Sequence, residues 1–168
     1  LVFADEKVLS PSVSGMQKET NTDNIYINYS SPKTNGKSFI YNLRTREKRL
    51  VKEQEVLDKN YSPKNYITER LECPSHDGRL VPLTITRHKD TKIDGTANVL
   101  LYGYGSYGNS LGFGFSSTRL SLLNRNIIWV NASIRGGRER GEVWHEEGKM
   151  LNKKNTFEDY ISAAKFLI

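Results

Sequence analysis

The sequence predicts an α/β protein in which antiparallel β structure comes first and a sheet covered by helices follows. Three patterns predict this order: apolar and polar residues alternate early in the chain, two short apolar runs occur later, and two stretches carry apolar residues at helical spacing. The composition changes near residues 60–65. We therefore expect two domains, 1–60 and 61–168.

The first domain is predicted to contain three short strands joined by turns. Apolar and polar residues alternate over Ile25–Tyr29, and turn residues fill 30–36. A second strand is expected over Ser38–Leu43 and a third over Lys48–Val51. This spacing is typical of antiparallel structure such as one blade of a β-propeller. A single blade does not bury its own faces, so we expect a partner for it.

The second domain is predicted to begin with a hairpin and to continue with buried strands. The hairpin strands are Tyr66–Glu72 and Leu80–Arg87, with Asp77-Gly78 at the turn. Continuous apolar runs at Asn98–Tyr102 and Ile127–Val130 are typical of strands in the interior of a sheet. The sheet is therefore expected to begin antiparallel and to continue parallel.

Two helices are predicted between and after these strands. The first spans Phe115–Asn124 and the second spans Phe157–Ile168, with Asn155 or Thr156 as its N-cap. The apolar stripe of the second helix is expected to consist of Phe157, Ile161, Ala164 and Leu167.

Composition and charge limit the function. The net charge is +6, but the basic residues are dispersed and no nucleic-acid motif accompanies them, so we expect no nucleic-acid binding. No apolar run approaches the roughly 20 residues that cross a bilayer. Cys73 is the single cysteine and is expected to be a half-buried strand residue, which favours a reducing, cytoplasmic location. The sequence does not begin with Met, and we expect it to be part of a longer protein.

Alternating glycines and tyrosines follow the strand that ends at Tyr102. The stretch Tyr102–Gly108 reads YGYGSYG. Glycine permits sharp backbone bends, and a tyrosine hydroxyl on such a loop is a suitable hydrogen-bond donor for an oxyanion. From the pattern alone, an oxyanion donor and an aromatic-packed turn without chemistry fit equally well.

Several further motifs follow in order along the chain. Together with Val99–Tyr102 and its YGYGSYG loop they are Arg119–Leu123, Ile134–Gly137 with Gly141 and Trp144, Gly148-Lys149, and Lys153–Tyr160. This series resembles the prolyl oligopeptidase family of serine peptidases, with the oligopeptidase B branch as the best fit, and the resemblance extends from about Thr22 to the end of the chain.

The resemblance implies an α/β-hydrolase domain capped by a seven-bladed propeller that admits short peptides. This chain would then hold a propeller-blade remnant over 1–60 and the N-terminal part of the hydrolase sheet over 61–168. The family mechanism uses Ser, Asp and His, and the nucleophile lies on a strand-to-helix elbow with the pattern G-x-S-x-G. By family position the elbow follows the 157–168 helix, so we expect the whole triad to be absent from this chain.

The resemblance also implies roles for individual residues. Tyr104 matches the tyrosine whose hydroxyl helps to bind the oxyanion, and Tyr107 matches a position that lines the first substrate pocket. Arg135, Gly136, Gly137 and Trp144 match a structural motif, in which we expect Arg135 to be an ion-pair anchor. No metal and no cofactor is expected.

Other serine and histidine residues are weaker candidates. Gly108–Gly112 satisfies G-x-S-x-G with Ser110, but several loop residues separate it from the strand, so we do not expect Ser110 to be the nucleophile. His76, His88 and His145 are expected at the surface or in local hydrogen bonds. Glu146 and Glu147 after His145 lack the second histidine of a zincin helix and are expected to be solvated.

The chain also departs from the branch. Gly112 and Gly114 stand where the branch usually carries two aspartates linked to a preference for basic peptides. Arg138 replaces a family glycine, and Arg140 adds a positive charge. Losing acidic groups and gaining basic ones is expected to weaken attraction for dibasic peptides.

The sequence therefore predicts part of a serine oligopeptidase that cleaves short peptides when a missing half supplies the triad. By itself the chain is expected to be inactive. The alternative is a catalytically inert truncated product or a non-enzymatic binding module. The sequence gives no indication of oligomeric state.

Overall fold

The computed structural model describes residues 6–15 and 21–168. The strands are β1 (Ser10–Gly15), β2 (Asn24–Ser30), β3 (Lys37–Asn42), β4 (Lys48–Glu53), β5 (Tyr66–Pro74), β6 (Leu80–His88), β7 (Val99–Gly103) and β8 (Ile128–Ala132). The helices are α1 (Ser117–Leu123), α2 (Glu142–Glu146) and α3 (Lys154–Phe166), with short 3₁₀ turns at Pro63–Asn65 and Met150–Asn152.

The chain forms two compact units. The first consists of Leu1–Asn65 with Phe113–Ser117, and the second consists of Tyr66–Gly112 with Thr118–Ile168. The first unit holds an antiparallel sheet in the order β1-β2-β3-β4. The alternation in β2 buries Ile27 opposite Phe39 of β3, as period-2 patterning requires. Strand β1 was not predicted, because its polar sequence is exposed along its whole length and shows no alternation.

The second unit holds a four-stranded sheet in the order β5-β6-β8-β7. Strands β5 and β6 form the predicted hairpin, and β8 pairs antiparallel with β6 and parallel with β7. The sheet therefore changes from antiparallel to parallel, and the predicted α/β class is confirmed. The buried side chains on this sheet and its covering elements include Val81, Leu83, Val130, Ala132, Ile134, Trp144 and Ala163.

Helix α3 differs from its prediction in the face that it buries. Phe157 is 61% exposed and Ile161 is 45% exposed, whereas Thr156, Asp159 and Ala163 are buried. The predicted apolar stripe is therefore wrong at Phe157 and Ile161, whereas Leu167 packs against the core and Ala164 is half-buried. The physical reason is that polar side chains on the buried face bond to neighbouring loops, as described below, so hydrophobic spacing does not identify the buried face.

The helix ends also differ from prediction. Helix α3 begins at Lys154 after an N-cap at Lys153 that makes no side-chain capping bond, so neither Asn155 nor Thr156 is its cap. Helix α1 begins at Ser117 and leaves Phe115 outside it. None of the helices among the described residues combines the length and apolar character needed to cross a bilayer.

Cys73 lies in β5 and is fully buried rather than half-buried. Burial raises the pKa of its thiol, and the nearby Asp159 carboxylate raises it further. A buried thiol of this kind is a structural residue of the core.

Candidate functional site

Two loops leave the second sheet at the same edge. Strands β7 and β8 are parallel, and Gly103 lies opposite Ala132 at their carboxyl ends. The loop after β7 begins at Tyr104, and the loop after β8 begins at Ser133. Because adjacent parallel strands deliver their following loops to one edge, these two loops lie side by side.

The loop after β7 presents two tyrosines to solvent. Tyr104 is 44% exposed and Tyr107 is 83% exposed, with Tyr107 in the left-handed region at φ 54°. The Gly108 N–H donates to the carbonyl of Gly136 over 2.9 Å, which joins this loop to the loop after β8. The hydroxyl of Tyr104 is therefore carried by a backbone segment that is itself attached to the sheet edge.

Two glycines permit this close approach. Gly105 has φ +60°, and a Cβ there would lie 2.5 Å from the side-chain methyl of Thr156. Gly136 has φ +101°, and a Cβ there would overlap the carbonyl oxygen of Gly105. Both positions combine a left-handed backbone with no room for a side chain, so only glycine fits.

Arg135 anchors the loop after β8 through a buried ion pair. Its guanidinium donates to both carboxylate oxygens of Asp159, over 2.9 and 2.6 Å, and its backbone N–H donates to Asp159 over 2.9 Å. It also donates to Asp77 in the hairpin turn over 2.5 and 3.2 Å. Both Arg135 and Asp159 are buried, so the expected ion pair is present in a site that excludes water.

The carboxylates of Asp159 and Asp77 also change the pKa of Arg135. Burial alone would lower the pKa of Arg135, but the hydrogen bonds that it donates to Asp159 and Asp77 outweigh burial and raise that pKa. The hydrogen bond from Arg135 in turn lowers the pKa of Asp77. The Arg135 guanidinium is therefore held in its charged form.

Trp144 supports the same loop from α2. Its indole N–H donates to the Ser133 carbonyl over 3.0 Å, and its own carbonyl accepts from the Gly136 N–H over 3.0 Å. His145 Nδ1 lies 2.9 Å from the Gly136 carbonyl, so Nδ1 carries the proton that forms this bond. The structure thus brings Arg135, Gly136 and Trp144 together.

Helix α3 holds both loops through polar side chains that sequence reasoning missed. Lys153 donates from its ammonium to the Gly105 carbonyl and, over 2.9 Å, to the Ser106 hydroxyl. Thr156 donates to the Arg135 carbonyl over 2.7 Å, and Tyr160 donates to the Leu101 carbonyl of β7 over 2.9 Å. The signal in the sequence was the spacing of Lys153, Thr156, Asp159 and Tyr160 on one helical face.

Ser110 lies in an exposed part of the loop after β7. Strand β7 ends at Gly103 and helix α1 begins at Ser117, so Ser110 is not on a strand-to-helix turn. A nucleophile elbow requires that turn. The geometry therefore argues against Ser110 as a nucleophile.

A serine, a histidine and an aspartate do meet elsewhere, but in the wrong order for a triad. The Ser75 hydroxyl donates to the buried carboxylate of Asp159 over 2.6 Å and lies 3.3 Å from His76 Nδ1. In a catalytic triad the histidine bridges the serine and the aspartate. Here the serine occupies the middle position, and Asp159 is already committed to Arg135.

The basic residues near the Arg-Gly-Gly segment are paired with carboxylates. Arg138 forms an ion pair with Glu142 at 2.8 Å, and Arg140 pairs with Glu72. Their charges are therefore compensated locally. Glu147 accepts from Arg79, so it belongs to an ion-pair network and is not simply solvated.

Glu139 attaches the later part of the loop after β7. Its Oε1 accepts from the Leu111 N–H over 3.0 Å, and a Cβ at Gly137 would clash with its Oε2 and would lie 3.0 Å from the Asn109 carbonyl oxygen. Burial raises the pKa of the Glu139 carboxyl. At Gly112, one residue further along, no atom of the described residues beyond its chain neighbours lies within 4 Å of the position that a Cβ would take.

One group of side chains has the composition of a metal site. Ligand atoms of Glu142, His145 and Glu146 lie within 4.8 Å of one another. Glu142 is paired with Arg138, however, and Glu146 with Lys149. Both carboxylates thus already have cationic partners, and the arrangement does not call for a metal.

Known proteins match the chain closely. Residues 113–168 match the model of the prolyl oligopeptidase family. Dipeptidyl aminopeptidase BI of Pseudoxanthomonas mexicana is 40% identical over 168 residues, covering 99% of this chain and 23% of that protein. The chain belongs to the prolyl oligopeptidase family.

Other members of this peptidase family also match nearly the whole chain. Protease 2 of Moraxella lacunata is 38% identical over 164 residues, covering 98% of this chain and 24% of that protein. The structure of oligopeptidase B from Trypanosoma brucei with covalently bound antipain, in a closed form, has a TM-score of 0.88 at 32% identity and covers 97% of this chain. The chain spans about a quarter of the length of these relatives.

Proposed function

We propose that this chain forms the oxyanion-binding part of a serine oligopeptidase that hydrolyses short peptides. The single observation that carries the proposal is the exposed Tyr104 on a loop held against the Arg135–Gly137 segment. In the proposed reaction, the tyrosine hydroxyl donates a hydrogen bond to the oxyanion that forms when a serine attacks the peptide carbonyl. Tyr107, on the same loop, lines the pocket for the substrate side chain.

The nucleophile, its base and the orienting carboxylate come from residues outside this chain. Two observations support this part of the proposal. Ser110 is not on an elbow, and the Ser75, His76 and Asp159 group has the wrong order. In addition, β7 pairs only with β8 in the described sheet, so its other edge is open for a further strand.

The proposed domain organisation follows from the same family. Residues 1–60 form the end of a β-propeller and residues 61–168 begin an α/β-hydrolase domain. The four-stranded antiparallel sheet of the first unit supports the propeller assignment, because four strands make one blade. The single cysteine supports a reducing compartment such as the cytoplasm.

A segment exchange tests the proposal. Residues 1–168 would replace the matching 168-residue segment of dipeptidyl aminopeptidase BI from P. mexicana, which supplies the remainder of a peptidase. We expect the chimera to hydrolyse the peptide substrates of the parent enzyme. A chimera that folds cooperatively but does not hydrolyse them would favour the inert or binding-module alternative.

The isolated chain provides the complementary test. We expect no labelling by a fluorophosphonate probe, which reacts with activated serines, and clear labelling of the chimera. Labelling of the isolated chain that disappears in Ser110→Ala would contradict the proposal, because a nucleophile would then lie within the chain.

A further inference from the structure

Lys153 occupies an electrostatically unfavourable position. It is the N-cap residue of α3, where the helix dipole disfavours a positive charge. Burial lowers the pKa of its ammonium, and among the described residues no carboxylate forms an ion pair with it. A cation with these two disadvantages needs compensating contacts, and the contacts that it makes are with the loop after β7.

The compensating contacts are two oxygens of adjacent residues. The Lys153 ammonium donates to the Gly105 carbonyl and to the Ser106 hydroxyl. Gly105 directly follows Tyr104, and its left-handed backbone has no free space around it. The Gly105 carbonyl belongs to the Gly105–Ser106 peptide, so the lysine fixes the peptide plane one residue after Tyr104. Because Gly105 itself has no room to move, holding this plane also restricts the backbone of Tyr104 and the direction in which its ring leaves that backbone.

We propose that Lys153 is a positioning residue for Tyr104: its ammonium locks the Gly105–Ser106 peptide and thereby holds the tyrosine hydroxyl in place. Lys153 acts through the loop and does not itself contact substrate. The consequence for catalysis rests on the proposed function, whereas the effect on the loop does not. The two parts are therefore tested separately.

Hydrogen exchange on the chain itself tests the effect on the loop. The Gly108 amide donates to Gly136 and the Asn109 amide donates to Ser106, so both report on the loop. In Lys153→Met, we expect exchange of these two amides to become about tenfold faster, with amides of β6 and β8 unchanged. Lys153→Arg keeps the charge and the donors, and we expect it to restore part of the protection.

Lys154→Met is the matched control. Lys154 is the neighbouring lysine, its ammonium is exposed, and it pairs with Glu158 at 3.8 Å. Three results would overturn the proposal: unchanged exchange in Lys153→Met, equal acceleration in Lys154→Met, or equal acceleration throughout the sheet. If Lys153→Met does not fold, Lys153→Arg and Lys154→Met are compared at the same two amides. Faster exchange in Lys153→Arg alone supports the proposal, whereas full protection of both amides in Lys153→Arg overturns it.

The chimera tests the effect on catalysis. We expect Lys153→Met to lower kcat about tenfold or more while KM changes little. The reason is that a misplaced hydroxyl stabilises the transition state less, whereas the bound substrate does not depend on its hydrogen bond. A rise in KM at constant kcat would contradict the positioning role. An inactive chimera would count against the proposed function only, since the exchange measurement on the chain stands apart from it.

Discussion

The loop after β7 has two glycine-containing halves, residues 104–108 and residues 109–112, that look alike in sequence and differ in structure. In the first half, Gly105 has a left-handed backbone and touches Thr156, so it has no room for a side chain. In the second half, a Cβ at Gly112 would meet no other part of the described chain within 4 Å. The first half carries Tyr104, the proposed oxyanion donor, and the second carries Gly112. A donor in the proposed reaction requires a fixed position, and the contacts of the first half provide one.

The two halves differ because different contacts attach them to the rest of the unit. The first half is attached to the loop after β8 through Gly136, and that loop is anchored by the Arg135 and Asp159 ion pair. The second half is attached at Leu111 by the Glu139 carboxylate. Glycine content alone therefore does not indicate flexibility; the contacts that surround each glycine do.

The largest expected effect is on the anchor of the first half. Asp159→Asn leaves Arg135 buried with one charged partner fewer, and breaking a buried ion pair typically lowers the free energy of unfolding by about 3–5 kcal/mol. Glu158→Gln is the control, because Glu158 is the neighbouring residue, is only half-buried and pairs with Lys154 at 3.8 Å; it is expected to change the free energy of unfolding by less than about 1 kcal/mol. Chemical denaturation of the isolated chain measures both. Equal losses would show that the buried pair does not anchor the loop.

The second largest effect on the free energy of unfolding is expected from substitution of Gly105, compared with the same substitution of Gly112. Gly105→Ala introduces a left-handed alanine and a clash with Thr156, and it is expected to lower the free energy of unfolding by about 2–4 kcal/mol. Gly112→Ala is expected to change it by no more than about 0.5 kcal/mol. Thermal unfolding of the two variants side by side checks this, and similar melting temperatures would contradict the division of the loop into a held and an open half.

The smallest effect is a pH dependence at the attachment of the second half. Burial raises the pKa of Glu139 above its value in the unfolded chain. Its contribution to stability is therefore fully present below the unfolded pKa of about 4.3 and is lost as pH rises through the folded value. Glu139→Gln does not titrate, so we expect its stability to fall less than that of the parent chain as pH rises above about 4. Parallel stability curves for the two proteins would contradict this assignment.

The sequence predicted the sheet well because its strands follow simple patterns. The hairpin around Asp77-Gly78 and the two apolar strands after it obey period-2 and burial rules that local sequence expresses directly. Strand β1 was missed because its own sequence shows no alternation of apolar and polar residues that would indicate its pairing with β2.

The polar face of α3 was missed for a different reason. Phe157 and Ile161 have helical spacing, yet they are exposed, while Thr156 and Asp159 face inward. Asp159 is buried because Arg135, 24 residues earlier in the chain, pairs with it. No local rule indicates that a carboxylate will have a distant guanidinium as its partner. The resemblance to a family included the Arg-Gly-Gly segment and the stretch Lys153–Tyr160, but it gave no role to Lys153 or Thr156.

The most direct test of the central claim compares two tyrosines in the chimera. Tyr104 and Tyr102 are equally exposed at 44%, but Tyr102 lies beside Trp129, with ring centroids 6.0 Å apart. Removing one oxyanion donor typically lowers kcat by about 10²–10³-fold. The account predicts a loss of that size in Tyr104→Phe and almost none in Tyr102→Phe, with KM little changed in both. Full activity in Tyr104→Phe, or an equal loss in the two variants, would contradict it.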